Sequence, residues 1–284
     1  MKTRIIVDST ADVTAGIKGR LLVVPLTIHF GEEEYVDGVT IDHTRFYEML
    51  IEREEIPTTS QASPYDFEKY YQYIREQGDE AVVLTVSGKL SGTYQSAVIA
   101  AEDYPEIHVV DSRTVAIGTG ILAEYALQLL DQGLDAAAIA AELEAVRDRV
   151  QVVALMDTLE YLKKGGRLSK TAAFAGAMLN IKPVLCIRDG EIAMLGKARG
   201  SRQGNNLLVE EIRKAGGVDF EKPVLLGYTG LSDALLNKYV QDSAVLWAGH
   251  GEALRTATIC SVIGTHAGPG AVAVAFFAPD ATEK

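Results

Sequence analysis

The side chains best suited to chemistry in this chain are hydroxyls gathered into short loops and one histidine set among glycines. Residues 87–97, with Ser91, Gly92 and Thr93 at their centre, follow an apolar run and open a segment of helical period. That order puts Ser91 at a helix start, where free N–H groups and the positive dipole end favour an anionic group, and Gly92 lets a ligand approach the backbone. Thr58, Thr59, Ser60 and Gln61 share a loop bounded by Pro57 and Pro64. Such hydroxyls donate to a carboxylate without adding a charge that an apolar pocket would have to desolvate. Ser63, at the end of the same loop, is equally suited to capping the next helix. His266 falls in residues 264–271 beside Gly264, Gly268 and Gly270, a stretch that reads as a glycine-rich loop between two strands. Asp8, Ser9, Thr10 and Asp12 follow the first strand, at the carboxyl end of the sheet where open α/β proteins bind ligands, although turn and cap chemistry accounts for them as well.

These residues set limits on the reaction. The Gly-x-Ser-x-Gly pattern of a nucleophile elbow is missing around Ser91, and so is the ordered ending of a phosphate loop. A serine acyl hydrolase or acyltransferase using Ser91 and His266 is the alternative to simple binding. A phosphotransfer enzyme of the dihydroxyacetone kinase type, which would attach a small hydroxyketone to a histidine, is a further one. Cys186 and Cys260 have no metal-ligand or redox spacing and read as reduced core thiols of a cytoplasmic protein. No metal and no cofactor is expected. Lys197, Arg199 and Arg202 form a basic stretch in an otherwise acidic chain, suited to a solvated strand end or to an acidic partner.

The elements that must position these groups follow from the hydropathy pattern. The 284 residues are long enough for two domains sharing a cleft, and a content of 48% hydrophobic and 23% charged residues describes a globular chain. A net charge of -12 argues against nucleic acid and anionic membrane surfaces as partners. Short β-branched runs alternate with segments of helical period, which predicts an α/β fold of two α/β/α domains with mostly parallel sheets. Strands are expected at 4–8, 22–28, 81–86 and 107–110, with helices at 44–54, 64–77, 92–102, 118–132 and 136–149. The second half offers strands at 150–156, 184–187, 191–197, 224–228, 244–247, 256–262 and 271–277, and helices near 201–215 and 232–240. The boundary is placed between domains 1–152 and 153–284. Residues 171–181 are apolar almost all round and mostly small, as in a helix that is packed between layers or lines an apolar cavity.

Taken together, the segments 8–12, 58–61, 91–97, 159–167 and 264–271 resemble the DegV family in order and separation over nearly the whole chain. Members of that family bind fatty acids. The resemblance implies a two-domain α/β fold that buries one acyl chain, with the carboxylate held by Thr59 and Ser91 and with His266 close by. Ser9, Thr58, Ser60, Gly92 and Thr93 are secondary candidates, and Phe174, Ala177, Met178 and Ile181 are candidates for the acyl pocket. It also implies a non-catalytic carrier that presents the acid to a separate ATP-binding fatty acid kinase subunit, which makes the acyl phosphate for phospholipid synthesis. Arg167 and Arg202 are the candidates for contacts with that partner or with the head group. Two positions depart from the family pattern: Ala62 stands where a proline often follows Ser-Gln, and Gly200 and Gln203 interrupt the basic stretch.

Overall fold

The computed structural model describes residues 1–53, 55–168, 181–251 and 254–280. The first half runs β1 (Thr3–Asp8), α1 (Ala15–Lys18), β2 (Leu21–Val24), β3 (Thr27–Phe30), β4 (Glu33–Val36), α2 (His43–Glu52), β5 (Thr58–Ser60), α3 (Pro64–Gln77), β6 (Glu80–Thr85), α4 (Thr93–Ala100), β7 (Ile107–Asp111), α5 (Ile117–Asp131) and α6 (Ala136–Val146). The second runs β8 (Val150–Leu155), α7 (Glu160–Lys164), β9 (Ile181–Arg188), β10 (Glu191–Arg199), α8 (Gly200–Lys214), β11 (Leu225–Tyr228), α9 (Ala234–Asp242), β12 (Arg255–Thr258), α10 (Ser261–Ala267) and β13 (Val272–Phe277).

Three sheets result, and they confirm the α/β class. The order β2-β1-β6-β7 is parallel throughout, as the alternation of strands and helices predicts. The six-stranded sheet, β10-β9-β8-β13-β11-β12, requires a correction, because every pairing in it except β11 with β12 is antiparallel. One cause is the β9–β10 hairpin, whose Asp189 and Gly190 both have positive φ, at 52° and 79°, the backbone a two-residue hairpin turn demands. The expected strand at 22–28 is broken at Pro25, which has no N–H to offer a ladder, and the chain passes from the parallel sheet into the small antiparallel sheet β4-β3-β5. Residues 244–246 form a 3-10 turn instead of a strand, held where Trp247 Nε1 donates to Ser243 Oγ at 2.9 Å.

The organising element is α5. Residues 117–127 of this helix are all buried, so it has no face to offer to water. Ile5, Val7, Val82 and Leu84 of the parallel sheet close on one side of the shared core, and Val152, Leu225, Ala275 and Phe277 of the six-stranded sheet close on the other. The outer face of the parallel sheet is covered by α3 and α4, and that of the six-stranded sheet by α8 and α9. No helix among the described residues is long and apolar enough to cross a membrane.

The approach to α3 is fixed by a capping box, in which Ser63 Oγ accepts from Asp66 N at 3.3 Å and Asp66 Oδ2 accepts from Ser63 N at 3.0 Å. Ser63→Ala removes one half of this exchange, and urea unfolding followed by circular dichroism should show a loss of about 1 kcal/mol with an unchanged m value.

Candidate functional site

Against the inner face of the six-stranded sheet, beyond the start of α5 and the carboxyl ends of the parallel strands, lies a cavity of about 420 Å³, a size common among small-molecule sites. Its floor is the inner face of the six-stranded sheet. Ala154 of β8, Leu185 and Ile187 of β9, Gly227 of β11 and Ala273 of β13 all line it. The alternating run 271–276 explains the space, since Ala271 and Ala273 face the cavity while Val272, Val274 and Phe276 pack toward α8 and α9. Ala116, Ile117, Val86 and Val115 close the side nearest the parallel sheet, and Val262, Ile263 and Ala267 of α10 contribute a further apolar wall.

The polar groups gather at one end. Pairing of β5 with β3 sets Thr59 opposite Ile28, and the strand alternation turns Thr59 inward while Thr58 is exposed. Thr59 Oγ1 lies 2.9 Å from His266 Nε2. Ser91 stands just before Gly92, the N-cap of α4, and its Oγ lies 2.9 Å from Thr93 Oγ1, which fixes its rotamer. Arg167 enters from the chain beyond α7, where Nε donates to Leu90 O at 3.2 Å and Nη1 to Gly165 O at 2.7 Å. Thr59, Ser60, Gln61, Ser91, Arg167 and His266 thus share one cavity.

Burial, with the nearby Arg167 guanidinium as a second cause, pushes the His266 imidazole down to about 4. The ring is therefore neutral at physiological pH. Its Nδ1 has no hydrogen-bond partner among the described residues. The cavity end accordingly combines two hydroxyls, a neutral imidazole and one permanent cation, while the remaining wall is mostly apolar. Such a surface suits an amphiphile with a compact anionic end.

His266 does not sit in a glycine-rich loop, which corrects the sequence reading; it lies in the last turn of α10. Gly264 weakens a helix in isolation, but a Cβ there would come within 2.5 Å of the Tyr47 hydroxyl, so close packing against α2 overrides the propensity. The expected strand at 256–262 likewise stops at Thr258, because α10 begins at Ser261. Two buried acids from the first half receive the start of this helix: Asp12 Oδ1 accepts from Cys260 N at 2.8 Å and Asp37 Oδ1 from Ser261 N at 3.3 Å. Burial raises the carboxyl pKa of both. Asp8 instead ties the loop after β1 to the end of β6, accepting from Thr10 N at 2.9 Å and Val86 N at 2.7 Å.

Other candidates separate. Ser60 lines the cavity, whereas Ser9, Thr58, Gly92 and Thr93 do not. Ser9 Oγ accepts from Leu26 N at 3.1 Å in the neighbouring loop, and Thr93 acts on Ser91. Ile181 begins β9 and is outside the lining, and Phe174, Ala177 and Met178 fall outside the described residues. Arg202 is exposed on α8, away from the cavity wall. Gln61, Thr10 and Thr229 line the cavity without having been singled out as ligand contacts, as do the small residues of β8, β11 and β13. The alanine alternation in 271–275 was the signal for the last of these. Among the described residues no group of three or more His, Cys, Asp or Glu side chains could hold a metal ion.

The family described as DegV matches residues 2–279. The chain belongs to the DegV family. A DegV domain-containing protein of Caldanaerobacter subterraneus is 34% identical over 280 residues, covering 97% of this chain and 98% of the relative. A solved DegV structure from Thermus thermophilus, described by its fatty acid binding, superposes with a TM-score of 0.86 at 32% identity, covering 98% of this chain and 100% of that one. A stearic acid-binding protein from Eubacterium ventriosum superposes with a TM-score of 0.85 at 26% identity, covering 98% of each chain.

The pKa of His266 is directly testable. Its folded value lies below the roughly 6.5 of an unfolded chain, so the unfolded state takes up this proton first as pH falls. Stability contributed by the neutral ring is complete above about pH 6.5 and is lost as pH falls toward about 4. An NMR titration of the imidazole resonances, assigned with a His266→Gln variant, should give a midpoint near 4; a midpoint near that of free histidine would contradict the buried, neutral state.

Proposed function

We propose that this DegV protein binds one long-chain fatty acid, with the carboxylate at Thr59 and Ser91 beside His266 and the acyl chain along the six-stranded sheet. The observation that carries the reading is the division of one cavity into a small polar end and a long apolar remainder. The fatty acid ligands named for the Thermus and Eubacterium structures support the same ligand class. Each methylene removed from water contributes about 0.8 kcal/mol, so a chain of about sixteen carbons supplies most of the affinity and the head group sets orientation.

Holding fits the geometry better than cleaving. A serine hydrolase needs its histidine bonded to the nucleophile and oriented by a third group. Here His266 Nε2 faces Thr59, Ser91 is engaged with Thr93, and His266 Nδ1 meets no carboxylate among the described residues. The proposal therefore assigns any chemistry on the carboxylate to a partner. The protein would work in the cytoplasm, where Cys186 and Cys260 remain thiols, and would present the acid to a separate ATP-binding kinase subunit that forms the acyl phosphate. Arg202, exposed on α8, is the candidate for that docking, whereas Arg167, in the cavity wall, is better placed to act on the carboxylate.

Protein purified from a bacterial host should release long-chain fatty acid on denaturation and solvent extraction; mass spectrometry that detects none, even after incubation with such acids, would refute the proposal. Ser91→Ala and Thr59→Ala should each weaken retention by roughly tenfold to a hundredfold, the range for losing a hydrogen bond to a charged group. Mixing acid-loaded protein with an ATP-binding fatty acid kinase subunit and Mg-ATP should yield acyl phosphate, trapped as the hydroxamate, and Arg202→Glu should reduce the yield while leaving retention of the acid intact.

A further inference from the structure

The strand register divides the cavity floor into rows. Leu185 pairs with Ala154, Ala154 with Ala273 and Ala273 with Gly227, which makes one row across four strands in which two alanines and a glycine follow the leucine. Toward α7 lie Met156, Ala271 and Thr229, the end of the floor nearest to Arg167. In the opposite direction the same face of β8 and β9 presents Val152 and Ile187, both lining the cavity. Val152 pairs with Ala275 and Ala275 with Leu225, but those two residues no longer line the cavity, because they are buried in the core shared with α5.

The helix thus begins where the cavity ends. A Cβ on Gly118 would fall 2.6 Å from Val152 Cγ2, so the first turn of α5 rests directly on Val152 and keeps it from moving aside. Ile117, at the start of the helix, lines the cavity beside it. From these placements we infer that Val152, backed by the first turn of α5, and its cross-strand neighbour Ile187 are the stop that sets the acyl-chain length this cavity accepts. The inference rests on the fatty acid reading of the site. A methyl end that reaches this row has the small-residue floor behind it and branched side chains in front. One methylene more must displace Val152, which is wedged against the α5 backbone.

The test is competitive loading. The parent, Val152→Ala, Ile187→Ala and Val153→Ala proteins are each stripped of lipid, incubated with an equimolar mixture of saturated acids of graded length, re-isolated and extracted for mass spectrometry. Val152→Ala and Ile187→Ala should both shift the bound distribution toward longer acids, with a preference of about fourfold for each additional methylene that is accommodated. Val153, which faces α8 from the other side of β8, should leave the distribution unchanged. Either of the first two variants suffices if the other does not fold. A parent that binds acids, together with folded variants whose length profile matches its own, overturns the stop while leaving the binding proposal standing. A parent that takes up none of the mixture overturns both.

Discussion

A helix that is buried on every side must be enclosed, and α5 is such a helix over residues 117–127, where even the buried Glu124 is paired, with Arg255. Its burial requires two sheets, one on each side, and the parallel and the six-stranded sheets meet that requirement with a single shared core. The cavity continues that shared layer past the point where the helix starts, with the six-stranded sheet on one side and the loops that follow the parallel strands on the other. Ala154, Gly227 and Ala273 stand where side chains large enough to let the sheets close would otherwise be found. Helix and cavity are therefore alternative ways of occupying one layer.

The polar end depends on a second arrangement, in which α10 is held from outside its own segment. Asp12 and Asp37 receive its first backbone N–H groups from across the molecule, and Gly264 lets it lie against Tyr47. His266 is carried at the far end of the same short helix, opposite Thr59. The acids close to β1 thus act on the site at a distance, by fixing the element that brings the imidazole to the strand hydroxyl. Burial then keeps that imidazole neutral.

Much of this was legible in the sequence where one local signal dominated. Ser63 and Pro64 announce α3, and the run at 80–85 followed by small polar residues places Ser91 close to a helix start. Crowded hydroxyls drew attention to the loop that holds Thr59 and a helix start to Ser91, and the family resemblance chose these two among their neighbours. The β5 strand escaped notice because three polar residues pair only through the register that β3 imposes. The helical state of 261–267 was hidden because its glycine argues for a loop, while the reasons for a helix lie at Asp12, Asp37 and Tyr47, more than two hundred residues away. The antiparallel order of the second sheet was hidden for a related reason: buried strands read as apolar runs whichever direction their neighbours take.

The cavity wall is assembled from segments as distant in sequence as Thr10, Ser91, Val152 and Ala273. A guest touching all of them would act as a shared contact between layers that the chain itself leaves partly unjoined, in the way an added core side chain does. Any molecule held by the folded state alone stabilises it by mass action. Persistence of this fold in a cell would then follow the supply of any such guest.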